Sequence, residues 1–187
     1  YEAIGWANKY ALGISVGAYY SWRQQRLIWF DRSSLVDTMA RLSDGLHYII
    51  SFNGFSFDMA LMRALLRHEE YTNPDELEAM NALCDKFKVC ASEGYDILKN
   101  LWASDSKSRK QKYVNRLDTL CRAIGLKGTE EHGSRMPMLW QQGEFARVIN
   151  HCSDDVSMTK ALFFSIIAHG GITRESGEFI TMEQPSK

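Results

Sequence analysis

The chain has 187 residues, with 22 Lys and Arg against 23 Asp and Glu and a formal net charge of −1. That length fits one domain with at most a small appendage, and 45 % hydrophobic with 24 % charged residues is the make-up of a soluble globular protein. Wholesale disorder is excluded, as are a membrane-spanning helix, since no window nears about eighteen uninterrupted apolar residues, and a protein that coats nucleic acid by bulk positive charge.

Residues Tyr10–Trp22 are apolar and aromatic and predict a long, partly buried strand. Arg26–Asp31 predicts a second strand, antiparallel to the first across a brief link. Ser33 or Ser34 caps a helix to about Leu42, with Leu35, Val36, Met39 and Leu42 on one face. His47–Phe52 is a short apolar run, the mark of a buried central strand. It ends at Asn53-Gly54, and a helical stripe of Phe57, Ala60, Leu61, Ala64 and Leu65 follows. Glu69–Asp85 is polar, holds Pro74, and reads as a surface connection with room for one helical turn. Phe87–Ala91 reads as a short strand and Tyr95–Trp102 as a helix.

Ser104–Lys112 reads as an exposed basic loop, solvated or in contact with phosphate. Asp118 caps a helix that ends at Gly125. Pro137 opens the last helical region, Gly143 interrupts it, and a long helix runs to about His169, stopped by Gly170-Gly171. Ile172–Lys187 is an edge strand or a disordered tail. The order predicts a mixed α/β layer, a central sheet flanked by helices, with one domain over 1–170 and a tail over 171–187.

Cys84, Cys90, Cys121 and Cys152 include no CxxC pair, and they read as reduced thiols in a cytoplasmic setting. Trp22, Trp29, Trp102 and Trp140 could stack on bases, but they fall mostly on apolar patterns and read as core. His132 beside Glu130 and Glu131 is set aside as a metal cluster.

Two segments carry the chemistry. In Ser51-Phe52-Asn53-Gly54-Phe55-Ser56-Phe57-Asp58 a strand ends, the chain turns, and an Asp opens a helix. Asp58 either complements the helix dipole or holds a divalent cation at the carboxyl end of a strand. In His151-Cys152-Ser153-Asp154-Asp155-Val156 the helical period separates the two aspartates. Asp155 falls roughly 60° from the centre of the apolar stripe and Asp154 roughly 160° from it. His151 lies four residues before Asp155 on the same side. The pair is either base and metal ligand or a surface ion pair.

Together these segments resemble the DEDD 3′–5′ exonucleases of the ribonuclease H-like fold. Asn53-x-x-x-Phe57-Asp58 is similar to that family's second motif, and His151-Cys152-x-x-Asp155-Val156-x-x-Thr159 to its third. Leu117-Asp118-Thr119-Leu120 and Glu2-Ala3-Ile4-Gly5-Trp6 resemble its predicted-exonuclease branch, so the likeness runs from Tyr1 to about Ala168. The resemblance implies a ribonuclease H-like domain acting on a single-stranded DNA or RNA 3′ end. It implies two ions, Mg²⁺ or Mn²⁺, about 4 Å apart, clamping the attacking and leaving oxygens. Asp58 and Asp155 would be two of the acidic ligands, His151 the general base, and Asn53 and Phe57 the shapers of the site near the terminal nucleotide.

Two features depart from the pattern. His151 stands at the spacing where the family has Tyr. The family's first motif, Asp-x-Glu, does not occur ahead of Glu2-Ala3-Ile4-Gly5-Trp6, and the expectation is that an upstream segment or another chain supplies it. The rival reading is a catalytically silent ribonuclease H-like module that binds nucleic acid or a partner protein within a larger assembly. An endonuclease on the same fold is a third.

Overall fold

The computed structural model of the chain describes residues 13–105, 107, 110, 115–129 and 131–185. β1 (Gly17–Ser21) and β2 (Arg26–Phe30) form an antiparallel hairpin with Gly17 opposite Phe30 and Ser21 opposite Arg26. β1 is shorter than the predicted strand, whose first residues lie outside the described ones. α1 (Leu35–Leu42) follows, but its entry is built by Asp31. That carboxylate accepts from the Ser34 N–H at 3.1 Å and from the Ser33 hydroxyl at 2.6 Å. α1 buries Leu35, Thr38 and Met39, while Val36 faces solvent.

β3 (Ile50–Ser51) pairs in parallel with β4 (Tyr95–Asp96), and α2 (Asp58–Arg67) and α3 (Pro74–Glu93) lie between them in the chain. α3 corrects the expectation of a surface connection and of a strand at Phe87–Ala91. Asn73 caps it through its side chain, which accepts from the Asp75 N–H at 3.0 Å, and Pro74 sits in the first turn, where no N–H is needed. Cys84, Phe87 and Ala91 recur at helical spacing and are its buried residues.

α4 (Ile97–Ser104), α5 (Leu117–Ala123), α6 (Met136–Gln141) and α7 (Phe145–His169) follow, with a 3₁₀ turn at Gly133–Arg135 ahead of α6. Gly170 closes α7 in the left-handed conformation, φ 75°. Asp118 does not cap α5: Arg116 holds that position, and Asp118 lies in the first turn, ion-paired with Arg122 at 3.0 Å. β5 (Gly171–Thr173) and β6 (Phe179–Thr181) form a closing antiparallel hairpin.

The strands therefore stand as three separate pairs among the described residues, not as one central sheet. The core is divided to match. One cluster joins α4, α5, α7 and the closing hairpin around Leu101, Leu120, Leu162 and Ile172; the other joins α1, α2 and α3 around Leu35, Leu66 and Phe87. The segment 48–52 runs between them. Tyr48, Ile50 and Phe52 pack on the first cluster and Ile49 on the second, the period-2 alternation of an extended chain covered on both faces. Its end, Asn53, thus emerges where the two halves of the core meet. Among the described residues no helix is long and apolar enough to cross a membrane.

Candidate active site

The turn after β3 is shaped by its own residues. Asn53 has φ 61°, a left-handed conformation that Asn tolerates better than most residues. A Cβ on Gly54 would stand 2.6 Å from the Ser51 Cβ, so the chain can fold this tightly against β3 only with glycine. The Phe57 N–H then donates to the Asn53 carbonyl at 3.1 Å and the Met59 N–H to the Gly54 carbonyl at 2.8 Å. Phe57 occupies the cap of α2, and Asp58 is the helix's first residue.

Asp96 fastens this turn. It lies at the end of β4, is 6 % exposed, and caps α4 by accepting from the Lys99 N–H at 3.1 Å. The same carboxylate accepts from the Asn53 N–H at 3.0 Å, the Phe55 N–H at 3.1 Å and the Ser51 hydroxyl at 3.1 Å. Sequence reasoning missed Asp96 by placing it inside a helix. The available signal was an Asp directly ahead of Ile97 and Leu98, the pattern of an N-cap.

α7 supplies the other side of the site. Asp155 stands two turns after Val148 and two turns before Leu162, which are buried. Seven residues on a helix return to within about 20° of the same direction. Asp155 therefore points in line with the buried stripe, closer to its centre than the sequence estimate placed it, although its side chain is 46 % exposed. The reason is that Met158 and Leu162 carry the stripe, whereas Phe145 and Ile149 are exposed. Asp154 points outward, as expected. The His151 side chain is 10 % exposed, with Nε2 at 3.5 Å from the Asp155 Oδ2. Its Nδ1 is buried without a hydrogen-bond partner. The 3₁₀ turn lies over the ring: a Cβ on Gly133 would come within 3.4 Å of Nε2.

Asp58 feels the neighbouring carboxylates. Asp58 is exposed by surface area, yet its carboxyl stands among densely packed atoms. The loss of hydration, and then the negative charges of Asp155 and Asp96, push it up to about 7. Asp155 is also raised, first by burial and then by Asp154 and Asp118, with His151 opposing. Burial and the charges of Asp155 and Asp58 push the Cys152 thiol up to about 11. Asp118 behaves differently: against the effect of burial, its hydrogen bond from Arg122 holds it below the ordinary carboxylate range.

Asn53, Phe57, Asp58, His151 and Asp155 are thus gathered around the end of β3 and the middle of α7. The carboxylates of Asp58 and Asp155 are hard oxygen donors of the kind Mg²⁺ and Mn²⁺ prefer. Among the described residues, no group of three or more His, Cys, Asp or Glu side chains is arranged to hold a metal ion. Glu131 is ion-paired with Arg135 at 3.4 Å and with Arg147, and the His132 Nδ1 is 2.8 Å from the Ser134 hydroxyl. Most of the basic loop, and Glu130, lie outside the described residues.

Residues 33–182 match the sequence profile of a family described as predicted 3′–5′ exonucleases related to the exonuclease domain of PolB. The chain belongs to this family of predicted 3′–5′ exonucleases. The matched stretch contains both constellations and extends past α7 to take in the closing hairpin, while the β1–β2 hairpin precedes it. No curated protein and no solved structure matches the chain.

Proposed function

We propose that the protein is a metal-dependent 3′–5′ exonuclease of the DEDD, ribonuclease H-like type, hydrolysing phosphodiester bonds at the 3′ end of single-stranded DNA or RNA. The observation that carries this is the match of residues 33–182 to predicted 3′–5′ exonucleases, a stretch that holds Asp58, which opens a helix after β3, and Asp155, which lies in line with the buried stripe of α7. Asp58 and Asp155 lie close enough for the charge of Asp155 to raise the proton affinity of Asp58. They fit a pair of hard divalent ions, Mg²⁺ or Mn²⁺.

Asp58 and Asp155 would hold those ions. When bound, the ions supply charge stabilisation for the in-line displacement at phosphorus. His151 would take the proton of the attacking water: it stands beside Asp155, nearly enclosed, with a ring nitrogen unspent on the protein. Asn53 and Phe57, on the turn tied to Asp96, would border the terminal nucleotide. The four cysteines are free thiols, which suits a reducing cytoplasmic compartment.

The test is degradation of a 3′-labelled oligonucleotide by the full-length protein with Mg²⁺ or Mn²⁺. Stepwise shortening that is lost in Asp155→Ala and in EDTA supports the reading. No shortening, or an Asp155→Ala variant as active as the wild type, overturns it. Binding without cleavage would favour a silent module instead.

A further inference from the structure

The two residues of β4 tie together the elements that carry Asp58 and Asp155. On one side, Asp96 holds the turn that leads into α2. Its Oδ1 accepts the N–H groups of Asn53 and Lys99 at 3.0 and 3.1 Å, and its Oδ2 accepts the Phe55 N–H and the Ser51 hydroxyl, both at 3.1 Å. On the other side, Tyr95 is 4 % exposed, and its ring meets Phe163 of α7 edge to face with centroids 5.8 Å apart. The Tyr95 hydroxyl donates to the Glu183 carbonyl at 2.7 Å, which fixes the far end of the ring. Asp155 lies about two turns before Phe163 on the same helix.

The hydrogen bonds of Asp96 separate its role from that of a metal ligand. A carboxylate offers about four lone-pair sites, and four donors of the protein occupy them. What Asp96 contributes is its grip and its charge. The grip reaches Asp58 over a short, stiff path. The Phe57 N–H donates to the Asn53 carbonyl and the Met59 N–H to the Gly54 carbonyl, so the residues between Asn53 and Asp58 have little freedom of their own. The Lys99 Nζ, 5.2 Å over the Phe55 ring, is a second link between α4 and the turn. The charge reaches Asp58 as well, since Asp96 is among the groups that raise its proton affinity. A field that favours a proton at Asp58 favours any cation there.

We propose that Asp96 is a positioning residue for divalent-cation binding at Asp58 and Asp155: it sets where Asp58 stands relative to α7 without itself touching the ion. The inference rests on the reading of Asp58 and Asp155 as metal ligands, and adds the residue that spaces them. Tyr95 completes the arrangement. The turn of Asp58 hangs on Asp96 and the helix of Asp155 packs on Tyr95, so two adjacent residues of one strand span the site. Asn cannot replace Asp96 in this role. Its amide keeps one acceptor oxygen and turns an NH₂ toward two donors, which frees part of the turn and removes the charge. Ligands whose outer hydrogen bonds are removed lose metal affinity by about 10–100-fold.

The test is Mn²⁺ binding to the full-length protein, followed by the loss of the free-ion electron paramagnetic resonance signal on titration. Asp96→Asn is expected to raise the Mn²⁺ dissociation constant about tenfold, with binding of a labelled oligonucleotide in EDTA unchanged. Cleavage by this variant should recover as Mn²⁺ is raised, which a merely unfolded protein does not do. Ser51→Ala removes one donor and leaves the carboxylate, so it should weaken Mn²⁺ binding by a smaller factor, and it serves if Asp96→Asn fails to fold. Ile180→Val thins the core beneath the closing hairpin. It should lower the melting temperature and bind Mn²⁺ as the wild type does. Wild-type Mn²⁺ affinity in both Asp96→Asn and Ser51→Ala, or an equal loss in Ile180→Val, overturns the proposal and leaves the nuclease reading standing. A wild-type protein that binds no Mn²⁺ overturns the metal reading and this proposal with it.

Discussion

The carboxylate of Asp96 holds the main chain of Asn53, its Oδ1 accepting the Asn53 N–H at 3.0 Å from the neighbouring strand. With the Phe55 N–H, the Lys99 N–H and the Ser51 hydroxyl, it gathers four donors at the point where the two core clusters meet. One buried anion therefore fixes both the turn that leads to Asp58 and the start of α4. Asp96→Ala is expected to cost about 3 kcal/mol, since several buried donors lose their acceptor at once, and Asp96→Asn about half as much. Urea denaturation checks this: an Asp96→Ala variant within about 0.5 kcal/mol of the wild type would mean the turn is held by something else.

Asp58 should be a liability in the metal-free protein. Its folded-state pKa is raised to about 7 from an ordinary 3.8, first by lost hydration and then by Asp155 and Asp96. The folded state then favours the protonated form. The resulting stability is complete below pH 3.8 and is lost as pH rises through about 7. The carboxyl is exposed by area, so solvent screening leaves only about 1 kcal/mol of the effect. Asp58→Asn should therefore raise the melting temperature at pH 8 in EDTA by about 2–4 °C, with the gain fading as the pH falls from about 7 towards 3.8. A variant that melts like the wild type at pH 8 would show that Asp58 does not carry this repulsion.

His151→Gln separates proton transfer from assembly of the site. The substitution keeps a polar side chain of similar reach in the enclosed position but removes the base. Oligonucleotide degradation is expected to fall about a hundredfold, with binding in EDTA unchanged. Full activity in His151→Gln would move the role of base to another group.

Phe87 and Val89 decide whether residues 87–91 are helix or strand. In a strand both would point the same way; on α3, Phe87 is 0 % exposed and Val89 is 55 % exposed. Phe87→Ala is expected to cost about 4 kcal/mol, and Val89→Lys less than about 0.5 kcal/mol. Equal costs would contradict the helix.

These residues also show where local pattern stops being informative. The polar run before Asp85 hid α3, because a helix with a narrow buried face of Cys84, Phe87 and Ala91 shows little apolar signal outside that stripe. α2 was legible as a helix, but its buried face is Met59, Leu61, Met62, Leu65 and Leu66 and not the expected stripe with Ala60 and Ala64. The single central sheet expected from the order of elements is replaced by three strand pairs among the described residues, since pairing depends on partners distant in the chain.

The amino-acid sequence by itself determined what rests on backbone preference and helical period. It marked the hairpin over β1 and β2, the break at Gly143, the end of α7 at Gly170, and the opposed directions of Asp154 and Asp155. It also placed Asp58 at the start of a helix after an Asn-Gly turn. Only the tertiary structure decided that Asp58 and Asp155 share one field, that Asp96 fastens the turn between them, and that Trp22, expected in the core, stands open beside Phe164. The physical reason is that charge repulsion, shared hydrogen bonds and ring exposure are set by distances through space. The balanced net charge of −1 gives no hint of them, because it sums over all charged groups whatever their positions.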